Sequence, residues 1–112
     1  MSQPHWNSNQ FSIPHTLAVQ LTNHELRAAP AAGLRLYVTD IHLYMGDTAQ
    51  LTQLLDGSGG TVLWASKPTA ATSVTANFKV PIPLTAATAL CCTTAGTTAN
   101  GFLVVNGFIA RA

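Results

Sequence analysis

The stretch LRLYVTDIHLYM, residues 34–45, decides the fold class. It is rich in β-branched, aromatic and leucine side chains and reads as a strand by its period-2 alternation. Leu34, Leu36 and Val38 share one face, whereas beyond Asp40 the apolar set Ile41, Leu43 and Met45 takes the other. A strand that swaps faces needs a bulge or a change in the layer that covers it.

Downstream, QLTQLL (50–55) and TVLWAS (61–66) flank DGSGG, in which Asp56-Gly57 and Gly59-Gly60 predict a hairpin. Pro68 ends the second of these strands. TSVTANFKV alternates, which places Val74, Ala76, Phe78 and Val80 on one side, and PIPLTAAT is a loop or an edge segment because proline cannot donate to a ladder. TALCCTT is a short strand, Asn100-Gly101 closes a turn, and FLVVNGFIA is the last strand, with a bulge expected at Asn106-Gly107. Upstream, TLAVQLT (16–22) reads as a half-buried strand, and Pro30 and Gly33 mark a loop.

Seven or eight strands with no amphipathic helix make an all-β chain. A single β-sandwich over residues 16–112, an eight-strand jelly roll or a related Greek key, fits best. Residues 1–15 lack periodicity and carry Pro4 and Pro14, and read as an extended N-terminal arm. That arm nevertheless holds Trp6, Phe11 and Ile13, large apolar groups that a solvated tail would normally lack, so these three are the candidate partner-binding residues.

With 112 residues there is room for one domain. Charged residues make up only 8% of the chain, against about 25% in ordinary globular domains. The net charge is +1, and Arg27, Arg35, Lys67, Lys79 and Arg111 are dispersed, so no basic stripe for nucleic acid or anionic membrane forms. No apolar run approaches a membrane span, and the start has neither a basic n-region nor an apolar h-region. Synthesis in a cytoplasm, without a secretory signal, is the expectation.

No charged side chain lies between Lys79 and Arg111. In that segment Phe102, Leu103, Val104 and Val105, then Phe108 and Ile109, put apolar groups on both faces of one strand. One face is expected in the core and the other against a symmetry mate. The alternative is a lone monomer whose Thr and Ala side chains cap the region.

The groups that catalysis requires are few. Glu25, Asp40, Asp47 and Asp56 are the only acids. Asp40 and His42 share a strand face and could pair, yet a polar surface pair explains them as well. His5, His15, His24 and His42 lack metal-ligand spacing, and Cys91-Cys92 are neighbours that a strand points to opposite faces, unsuited to a mutual disulfide. Gly57, Gly59 and Gly60 belong to a turn and lack the Lys-Ser/Thr and helix of a phosphate cradle. Trp64 is expected in the core. No enzyme activity, cofactor or metal is expected.

The block LRLYVTDIHLYMGDTAQLTQLLDGSGGTVLWAS, followed by FKVPIPLTAATALCCTTAGTTANGFLVVNGFIA, resembles a family of small virion proteins of tailed phages. The resemblance covers about residues 25 to 110 and lies in strands and turns, so it transfers no catalytic residue. It implies a jelly roll similar in architecture to trimeric TNF-like modules, used as capsid cement or decoration. The expected function is therefore that of a homotrimeric decoration protein on the outer surface of a capsid. It would be made in the bacterial host cytoplasm and bind itself and the major capsid protein. The alternative is a tail- or fibre-associated module that contacts a host surface glycan, with Asn77 and Trp64 as candidate contacts.

Overall fold

The computed structural model describes residues 9–112, which form eight strands and no helix. These are β1 (Gln10–Thr16), β2 (His24–Arg27), β3 (Leu34–Tyr44), β4 (Thr52–Asp56), β5 (Thr61–Ser66), β6 (Ser73–Pro83), β7 (Leu90–Thr94) and β8 (Phe102–Arg111). They pair antiparallel as β4 with β5, β3 with β6, β2 with β7 and β1 with β8. This is one long hairpin whose tip is the DGSGG turn, with successive pairs assigned alternately to two sheets. The sheets have the orders β1-β8-β3-β6 and β2-β7-β4-β5. That nesting is the jelly roll.

The tip forms as its sequence demands. Gly57 and Gly59 adopt φ of 86° and 70°, values costly for side chains with a Cβ. The Gly59 amide donates to Oδ1 of Asn23 at 2.9 Å, tying the hairpin to the start of β2.

The core lies between the sheets and is aliphatic, with Leu36, Val38, Ile41, Leu43, Leu54, Leu90, Leu103 and Val105 fully buried. The face swap inside residues 34–45 is real. Against β8 the register shifts between Val38, opposite Gly107, and Asp40, opposite Asn106, so Thr39 is an extra residue and both halves of the strand point apolar groups inward. Against β6 the surplus lies on the other strand, between Asn77 and Ile82.

Several expectations need correction. The sandwich begins at Gln10, not at residue 16. Residues 10–16 pair along β8 from Gln10 opposite Phe108 to Thr16 opposite Phe102, and Phe11 is buried in the core. Two prolines and no clean alternation concealed an edge strand; Pro14 is tolerated because β1 has a neighbour on one side only.

Residues 17–22 are not a strand. They cross from the first sheet to the second, burying Leu17 and Leu21 while Val19 stays 67% exposed. Backbone bonds from Leu17 to Gly101 and from Thr94 to Leu21 hold this crossing.

The expected bulge at Asn106-Gly107 is absent from β8, which runs unbroken; the extra residue sits opposite it, in β3. Val80 leaves the face shared by Val74, Ala76 and Phe78. Between Asn77 and Ile82 the register of β6 breaks, and Val80 is 82% exposed.

Candidate functional site

The outer face of the β1-β8-β3-β6 sheet gathers the most varied chemistry of the described residues. β8 decides what it displays. Leu103 and Val105 point inward and are fully buried, and Ile109 is half-buried against the same core. The intervening Phe102, Val104, Asn106 and Phe108 point outward. The apolar run therefore divides by parity, as a strand must, and Phe102 is 41% exposed.

The register across the four strands arranges this face in rows. At one end, Ser73, Tyr44, Phe102 and Thr16 lie side by side. The rings of Tyr44 and Phe102 stack with centroids 5.6 Å apart, and His42 tilts against Phe102 at 5.7 Å. The next row is Thr75, His42, Val104 and Pro14, in which His42 Nδ1 and the Thr75 hydroxyl lie 2.9 Å apart in a hydrogen bond.

The third row is polar throughout: Asn77, Asp40, Asn106 and Ser12. The Asn106 side-chain amide donates to Asp40 Oδ2 at 2.7 Å, and the Thr39 hydroxyl donates to Asp40 Oδ1 at 2.9 Å. Beyond it, Tyr37 and Phe108 stack face to face with centroids 4.8 Å apart, next to Gln10 on β1. A shallow depression of about 400 Å³ opens here, lined by Gln10, Ser12, Asp40, Asn106 and Phe108. The bulge at Thr39 makes it, because the extra residue locally disrupts the ladder and re-aims Asp40 to the outer face.

The structure thus brings Asp40 and His42 onto one face, and each bonds a different partner: Asp40 to Asn106 and Thr39, His42 to Thr75. Of the proposed arm contacts, Phe11 is a core residue and Ile13 is half-buried against the core; Trp6 lies outside the described residues. Trp64 is half-buried against the core. Asn77, singled out from the sequence, does reach the site. Gln10, Ser12, Tyr37 and Asn106 were missed, because rows across strands are legible only once the register is known.

Away from this face, Cys91 and Cys92 are free and buried. Burial pushes both thiols up, Cys92 to about 12, so neither is a ready thiolate. His15 on β1 and His24 on β2 stack across the seam between the sheets, with centroids 4.5 Å apart.

No known protein family matches the chain, and no curated protein does. Among solved structures it is similar to the extra small virus of the prawn Macrobrachium rosenbergii, seen by cryo-EM as a virus-like particle. The identity is 8% and the TM-score 0.44, over 89% of this chain and 75% of that one. It is similar to the coat protein of Tobacco streak virus at 9% identity and TM-score 0.43, over 100% and 92% of the two chains. It is also similar to CBM22-1–GH10 modules of a Clostridium thermocellum xylanase complexed with xylohexaose, at 15% identity and TM-score 0.42, over 89% and 26%. The fold rests on none of these likenesses but on the nested strand pairing itself: the chain is an eight-strand jelly roll.

Proposed function

We propose that this protein is a structural virion protein, a homotrimeric decoration or cement protein that stabilises the major capsid lattice of a tailed phage. The observation that carries the reading is the outward half of β8. An interior strand of a two-layer sandwich, with no third layer over it among the described residues, turns Phe102 and Val104 away from the core. The flanking β3 adds Tyr44, stacked on Phe102. A sheet face open to water normally carries polar side chains. Exposed apolar groups on such a face favour a partner, and the end of this face around Phe102 and Tyr44 carries no Lys, Arg, Asp or Glu. A second copy of the chain meets that requirement without any charge to neutralise. The trimeric number and the capsid setting come from the resemblance to tailed-phage virion proteins.

The test is the solution mass of the full chain by light scattering, together with Phe102→Asp. The native protein is expected at about three times the monomer mass, and the variant as a folded, smaller species that no longer decorates purified capsids. A native monomer, or a variant of unchanged mass and decoration, rejects the reading. Copy number separates capsid from tail: many copies spread over the shell mean decoration, a handful mean tail.

A further inference from the structure

We propose that the polar row Asn77–Asp40–Asn106–Ser12, with the depression beside it, is a binding site for a short neutral oligosaccharide. The row crosses all four strands of the sheet. Its three strand separations span roughly 14 Å, the length of a few sugar rings. It offers what an uncharged chain of hydroxyls needs, acceptors and donors in alternation. Asp40 is held by Asn106 and Thr39, one bond to each oxygen. A carboxylate has about four acceptor sites, so half remain for ligand hydroxyls. Asn77 and Ser12 make no side-chain hydrogen bonds among the described residues and can turn to the ligand.

The apolar part of the site is Phe108, which lines the depression and is buttressed by Tyr37. An aromatic wall beside a few fixed polar groups is the usual composition of a small-ligand pocket. The same chemistry disfavours other ligands. The row has no cation to hold an anion. Its single carboxylate is far short of the six to eight oxygens that calcium takes.

This inference does not rest on trimer formation. The apolar end at Tyr44 and Phe102 lies two rows away, so either reading can fail alone.

The experiment is a titration of the isotope-labelled full chain, followed by amide and side-chain NMR, with cellotriose, maltotriose and triacetylchitotriose at millimolar concentrations. At least one is expected to shift Ser12, Asp40, Asn77 and Asn106 saturably. Asn77→Ala and Ser12→Ala leave the fold's hydrogen bonds intact and should each weaken that binding about tenfold, the loss of one net hydrogen bond. Translational diffusion in the same samples reports the oligomeric state independently. Absence of shifts with all three sugars overturns the proposal, as do shifts unchanged in both variants. Equal shifts with an uncharged Gly-Thr tetrapeptide would also overturn it, in favour of a protein partner.

Discussion

Phe11 lies directly opposite Gly107 in the β1–β8 ladder, and its ring fills the space that a side chain at 107 would need. A Cβ built on Gly107 would come within 2.6 Å of Phe11 Cζ and would also collide with the Tyr37 carbonyl oxygen. The absence of a side chain in the middle of an interior strand is therefore what lets β1 close the sheet, with an aromatic ring covering the glycine.

Gly107→Ala should cost about 1–3 kcal/mol, the usual penalty of overpacking, read from a denaturant midpoint. Deleting residues 10–16 should abolish the fold, because Phe11 goes and β8 loses its outer partner. Deleting residues 2–8 should leave all eight strands in place, checked by circular dichroism and thermal melting. A folded protein without residues 10–16 would contradict the placement of β1.

The parity of β8 gives a second prediction. Leu103 is fully buried, and Leu103→Ala should cost about 2–5 kcal/mol. Val104→Asp, one position on and outward, should leave the monomer folded and shift only the state of association. Melting curves and light scattering on the two variants separate core from surface. Equal loss of folding in both would mean that the outward half of β8 is part of the core.

The stacked histidines predict a pH dependence. Burial first, and then the neighbouring His24, hold the His15 ring below the ordinary imidazole value. With its folded pKa depressed, the unfolded chain binds the proton more readily. Stability should therefore be highest above about pH 6.5, fall as the pH drops below that value, and level off beneath the folded pKa. His15→Gln should flatten this part of the profile. Glu25 and Arg27 sit on the same short strand as His24, so the comparison is made at fixed ionic strength. A native profile that rises on acidification through this window would contradict the lowered His15 pKa.

How much of this was legible in the sequence depends on which physical signal each part uses. The hairpin at 56–60 was fully legible, since glycines at forced φ leave few alternatives. The face swap in β3 was legible as a pattern, because Val38 and Ile41 cannot both face inward without an extra residue. Its position at Thr39 was not, and the bulge was expected across the ladder at Asn106-Gly107, where glycine is the more obvious signal. β1 was missed because Pro14 and the Ser and Gln around Phe11 look like a linker; only pairing with β8 reveals a strand with one half-open side. TLAVQLT misled in the opposite sense, since Leu17 and Leu21 bury themselves at the two ends of a crossing between sheets. The polar row on the outer face could not be read at all, as its members come from residues 12, 40, 77 and 106.

The last prediction concerns a hydroxyl in the core. Thr52 opens β4 and its side chain is fully buried, pointing into the sandwich. Its Oγ1 has no hydrogen-bond partner among the described residues. A buried hydroxyl without a partner costs about 1–3 kcal/mol relative to one that is satisfied. Valine has nearly the same shape and replaces the hydroxyl by a methyl group. On β4 the added β-branched residue keeps the strand's preference. Thr52→Val should thus raise stability by about 1 kcal/mol, a rise in melting temperature of about 4–8 °C for a domain of this size. Thr94 is the control: it is equally buried, but its hydroxyl accepts from the Leu21 amide at 2.9 Å. Thr94→Val should therefore lower the melting temperature by leaving that amide unpaired. If both substitutions destabilise alike, the Thr52 hydroxyl is satisfied in solution and the core is more polar than its packing shows.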